Sequence, residues 1–146
     1  MIFPTLPTWK ELPDLELYLD QVLLYVNQVT MFTDTQDNKA LTASMINNYV
    51  KHGYVSKPVK KKYQKQQLAR LIAISLFKTV FPIQEISQVL QGLQTTADSE
   101  NLYNTFVTCW NNPSANIDTI PDIIIVACQT VKYYHQTIHL SQEKIS

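Results

Sequence analysis

The stretch TASMINNYVKHGYVSKPVKKKY, residues 42–63, decides how the rest of the chain is read. Thr42 offers a capping hydroxyl. Met45, Ile46, Tyr49 and Val50 recur at helical spacing, and Gly53 stands where a left-handed residue ends a helix. A short helix is therefore expected over residues 42–53. Pro58 prevents its continuation, while Val55, Val59 and Tyr63 suit a very small hairpin or extended wing. The helix face opposite the apolar residues carries Ser44, Asn47, Asn48 and Lys51; the turn carries Lys57, Lys60, Lys61 and Lys62. An asparagine amide pairs a donor with an acceptor, matching the N6 and N7 edge of adenine, whereas lysines neutralise phosphates without reading sequence. Tyr63 either packs the wing or hydrogen-bonds a phosphate.

Charge supports this reading. Residues 38–84 hold nine lysines and arginines with no acid, a local charge of +9. Residues 1–37 carry −5 and residues 85–146 carry −4, so the whole chain is neutral. Such segregation produces a strong local field that the net charge conceals.

Outward from the basic unit the pattern is helical throughout. Residues 13–30 predict a first helix capped by Asp14, with Leu15, Leu19, Val22, Val26 and Val29 as its buried stripe. Before it, Pro4, Pro7 and Trp9 suggest an extended lead-in, and residues 33–39 read as a polar loop. A third helix starts at Gln64 or Lys65, carried by Leu68, Leu71, Ile72, Leu76 and Val80. Pro82 opens a fourth, with Ile83, Ile86, Val89 and Leu90 inward and Gly92 ending it. A fifth is expected over residues 99–111, with Leu102, Phe106 and either Val107 or Trp110 inside. Pro113 breaks it, and a long last helix begins near Pro121, where residues 123–126 are apolar enough to be buried on several sides or against a second copy.

Several function classes find little support. Two glycines leave no Gly-rich phosphate loop, and no apolar run approaches the roughly 18–20 residues that span a bilayer. Cys109 and Cys128 lie in apolar helical stretches, where buried inert thiols are the rule. His135 and His139 have the four-residue spacing of a zinc pair but lack the glutamate motif of a metalloprotease. No metal, no cofactor, no membrane association and no enzymatic activity are expected, and the setting is cytoplasmic.

The residues of the basic unit also carry a family resemblance. Residues 45–55, MINNYVKHGYV, resemble the second helix of MerR-type regulators, which runs into a glycine and an apolar pair. Lys61-Lys62-Tyr63 resembles the step that ends that family's wing, and residues 66–90 resemble its following helix pair. From about Thr8 to Leu93 the chain is similar to an uncharacterised bacterial domain-of-unknown-function family, itself distantly MerR-like. Asn47-Asn48-Tyr49 and Val59-Lys60-Lys61-Lys62-Tyr63 are its recognisable features, although Asn47 replaces the MerR arginine.

The resemblance implies an all-α protein with a MerR-like winged helix-turn-helix core and a short basic wing in residues 1–93. Residues 94–146 form C-terminal helices for dimerisation or signal reception. The function expected is sequence-specific binding of double-stranded DNA by a homodimeric bacterial transcription regulator. The alternative is a protein–protein module of the same shape that binds an acidic partner.

Overall fold

The computed structural model describes residues 2–32, 40–114 and 117–145. Its helices are α1 (Leu19–Val29), α2 (Ala43–Lys51), α3 (Lys65–Phe77), α4 (Ile83–Gln94), α5 (Ser99–Asn111) and α6 (Asp122–Ile145). Short 3-10 turns lie at Trp9–Glu11 and Ile117–Thr119. Among the described residues β pairing is limited to two single bridges, so the architecture is all-α.

Helix α3 is the axis. It packs against α1, α4, α5 and α6, and Leu68, Leu71, Ile72, Ile74 and Leu76 are almost wholly enclosed. A helix surrounded on most sides cannot be strongly amphipathic, which is why Ala69, Ala73 and Ser75 are buried as well. Ser75 lies 3.4 Å from the Thr30 hydroxyl, which itself donates to the Val26 carbonyl. Residues 1–93 and 94–146, set apart by the sequence reading, contribute to one contiguous apolar core.

An extended strap before α1 runs along α5, and side chains of α5 serve its backbone. The Asn111 amide both donates to the Leu6 carbonyl (2.9 Å) and accepts from its N–H (2.8 Å). Asn104 Oδ1 accepts from the Trp9 N–H, the Tyr103 hydroxyl donates to the Pro7 carbonyl, and Trp110 Nε1 donates to the Pro4 carbonyl. Helix α6 closes the same region. Lys132 donates to the Trp110 carbonyl, and its ammonium lies 4.7 Å from the Trp110 ring centre.

Several expectations about the helices need correction: α3 ends at Phe77, short of Val80, and Val89 of α4 is 37% exposed and does not face inward. Helix α1 starts at Leu19, because the chain before it is extended and Leu17 pairs with Tyr63. Leu15 is therefore outside the helix and 77% exposed, and Asp14 caps nothing. Gly92 lies inside α4, which continues to Gln94 and is closed by the Thr95 and Thr96 hydroxyls on the Gly92 and Leu93 carbonyls. On α6 only Ile124 of residues 123–126 is buried within the chain, while Ile123 and Val126 face out, which removes burial on several sides by the chain itself and leaves the second-copy alternative. The polar loop expected at residues 33–39 lies outside the described residues.

Candidate nucleic-acid interface

Helix α2 has the boundaries its sequence requires. The Thr42 hydroxyl accepts from the Met45 N–H at 3.1 Å, satisfying one of the amides left over at a helix start. Gly53 has φ +77°, and a β-carbon there would meet no atom within 4 Å; the glycine is needed for its backbone angle, not for space. Asn27 of α1 fixes the approach, its side-chain amide exchanging two 2.9 Å hydrogen bonds with the Leu41 backbone. Ile46 and Tyr49 turn inward, and burial pushes the Tyr49 phenol up from its usual value. Ser44, Asn47, Asn48 and Lys51, spaced three, one and three residues apart, share the opposite face and are all exposed.

The turn after α2 closes as a hairpin of minimal size. Val59 and Lys62 exchange backbone hydrogen bonds of 3.1 and 2.9 Å, with only Lys60 and Lys61 between them. Both of those lysines have positive φ, 53° and 68°. A two-residue hairpin of this form needs two left-handed residues and usually takes them as Asn-Gly. Each lysine held there costs about 1–2 kcal/mol relative to ordinary backbone. Surrounding contacts hold the turn in place. Tyr63 and Leu17 exchange backbone bonds of 2.7 and 3.0 Å, and the Gln67 amide donates to the Ser56 and Lys57 carbonyls, both at 3.0 Å. Arg70 Nε donates to the Tyr54 carbonyl at 2.6 Å.

This scaffolding leaves a basic surface. Lys51, Lys57, Lys60 and Lys61 are exposed, and among the described residues no carboxylate stands within 4 Å of their ammonium groups. Lys62 is half-buried, its ammonium 5.7 Å from the Tyr18 ring centre. Lys65 pairs with Asp14 at 2.8 Å, although the aspartate is so exposed that the pair adds little stability. Tyr63 has 4% of its surface exposed, so its ring packs into the core beneath the hairpin, the first of its two expected roles. The segment that is acid-free in sequence is bordered in space by Asp14 and Glu16, brought there by the Leu17–Tyr63 pairing.

A family model described as Domain of unknown function (DUF1836) matches residues 7–106. The chain belongs to that family. The DUF1836 region takes in the strap from Pro7, α1, α2, the hairpin, α3, α4 and α5 as far as Phe106. It thus includes every residue of the basic surface and the buried residues that shape it, and leaves out α6. Neither a curated protein nor a solved structure matches the chain.

Sequence reasoning missed the residues that hold the hairpin in place. Gln67 and Arg70 look like ordinary polar positions of α3, and nothing in their spacing reveals bonds to carbonyls ten to sixteen residues earlier. Elsewhere the structure separates the candidate metal pair chemically. His135 is buried and stacked on Phe32, with ring centres 3.8 Å apart, whereas His139 Nε2 lies 3.1 Å from Glu143. Cys109 and Cys128 are both buried thiols, and burial beside Cys109 pushes Cys128 far above its usual pKa. No helix among the described residues is long and apolar enough to cross a membrane.

Proposed function

We propose that this chain is a DNA-binding protein, a bacterial transcription regulator of MerR-like winged helix-turn-helix form. Helix α2 lies in the major groove, and the lysine hairpin lies on the flanking phosphates. The observation that carries this reading is the hairpin. Two consecutive lysines occupy left-handed positions that Asn-Gly would fill without strain, both are exposed, and among the described residues neither has a carboxylate within 4 Å of its ammonium group. Strain retained at an exposed, multiply charged turn points to a task for the charges. The neighbouring face of α2 presents Ser44, Asn47, Asn48 and Lys51 for base edges and adjacent phosphates.

The exposed face of α6 supports pairing of two copies. Ile123, Val126, Tyr133 and Leu140 are all at least 46% exposed and, with Thr130 and Thr137, recur at alternating steps of three and four residues. That is the spacing of a coiled-coil seam. A two-fold dimer would set two α2 helices about one DNA turn apart, on the order of 34 Å.

A salt titration with duplex DNA is the test. Affinity is expected to fall steeply with salt, and replacing Lys60, Lys61 and Lys62 by alanine should weaken binding to every sequence. The same triple replacement should flatten the slope by about 0.9 for each phosphate no longer neutralised. Replacing Asn47 by alanine should cost more on a selected site than on random duplex. No retention of duplex even at low salt would overturn the reading and favour an acidic protein partner for the same lysines.

A further inference from the structure

Helices α3, α4 and α5, with the first turns of α6, enclose a half-open cleft of about 400 Å³, within the size range of small-molecule sites. Most of its wall is apolar, with Phe77, Phe81, Ile86, Leu90 and Phe106 contributing. One cation stands in that wall. Arg70 is half-buried, and with Nε committed to the Tyr54 carbonyl, its two terminal nitrogens have no acceptor among the described residues. Partial burial lowers its pKa, and no carboxylate within 4 Å offsets that effect among the described residues. Glu85 also lines the cleft but is exposed and unpaired with Arg70, so water already serves its charge.

We propose that this cleft binds a small amphipathic carboxylate, a medium-length alkyl chain whose acid group pairs with the terminal nitrogens of Arg70. The planar end of a guanidinium matches the two oxygens of a carboxylate. A single negative charge balances Arg70, whereas a doubly charged phosphate would meet Glu85 with charge to spare. The chain then covers the aromatic and aliphatic wall. Arg70 also holds the turn that follows α2, so occupancy of the cleft bears directly on residues 53–55. Any consequence for DNA rests on the function proposed above; the binding itself does not.

Calorimetry on the full chain with decanoate and decanol tests the site. Decanoate is expected to bind one per chain and at least tenfold more tightly than decanol. Each methylene added from octanoate to dodecanoate should tighten binding about three- to fourfold. Arg70→Gln should erase the preference for the acid, and Arg70→Lys should keep most of it. In the nuclear magnetic resonance spectrum, the Gly53, Tyr54 and Val55 amide signals should shift on adding decanoate. Because Arg70 also supports the fold, Ala73→Phe provides a second check by filling the cleft from α3 while leaving Arg70 in place; it should abolish binding of both probes. Equal affinity for acid and alcohol, or decanoate binding that survives Ala73→Phe, would overturn the proposal. So would a cleft occupied by a second copy, seen as decanoate binding that appears only when Val126→Asp and Tyr133→Asp break the dimer.

Discussion

Two stretches of non-helical backbone lie on this helical body, and their polar groups are satisfied in opposite ways. The strap at residues 3–9 is served by side chains of α5: Asn104, Asn111, Tyr103 and Trp110 each hold one of its backbone groups or, for Asn111, two. The stretch at residues 54–63 is held through its own backbone, paired across the turn and with Leu17, and from below by Gln67 and Arg70. The strap therefore consumes side chains of its neighbour and buries Leu6. The hairpin is anchored by backbone and by α3, so the lysines at its tip remain unspent. An extended segment whose side chains are not needed for its own attachment is free to meet a partner.

The contrast can be broken from the strap side first. Trp110→Ala removes a fully buried ring together with the bond to Pro4, and should cost about 3–5 kcal/mol in chemical denaturation. Asn111→Ala unties both bonds to Leu6 and should cost about 1–3 kcal/mol. If the strap is purely structural, duplex affinity of the folded fraction should be unchanged in both variants, and a parallel loss would erase the distinction. On the hairpin side the signs should diverge. Lys60→Asn with Lys61→Gly should raise stability by about 1 kcal/mol or more while lowering duplex affinity about tenfold, since each phosphate left without its lysine weakens binding. A variant that neither gains stability nor loses affinity would show that the left-handed lysines are incidental. Smallest of all, Asp14→Ala should change stability by less than about 0.5 kcal/mol, because its pair with Lys65 is exposed.

Much of the basic unit was legible in the sequence because local chemistry sets it. Thr42 and Gly53 bound α2 as expected, and α5 occupies Ser99–Asn111 as read. A very small hairpin was one of two forms expected from Val55, Val59 and Tyr63 around Pro58, but its left-handed turn at Lys60 and Lys61 was not, since Lys-Lys is a poor signal for two left-handed residues. Leu15 illustrates the limit of periodicity. It fits the α1 stripe, but the pairing of Leu17 with Tyr63, a contact across 46 positions, draws the backbone out of helix before it. The hydrogen-bonding roles of Asn104 and Asn111 were invisible for the same reason, because their partners lie about a hundred residues away. On α4 the helix simply absorbs Gly92, a glycine costing only about 1 kcal/mol in a helix whose other residues favour it.

The clasp between Asn111 and Leu6 spans 105 positions of sequence, and this has a consequence in time. A ribosome adding about 5–20 residues per second needs roughly 5–20 s to travel from one partner to the other. Until α5 is made, Leu6 lacks the side chain that ties its backbone, whereas α1, α2, the hairpin and α3 are all complete by Phe77, before α5 begins at Ser99. The first part of the strap to be made is thus among the last to settle. During synthesis the backbone of Leu6 therefore stays without its clasp until Asn111 arrives.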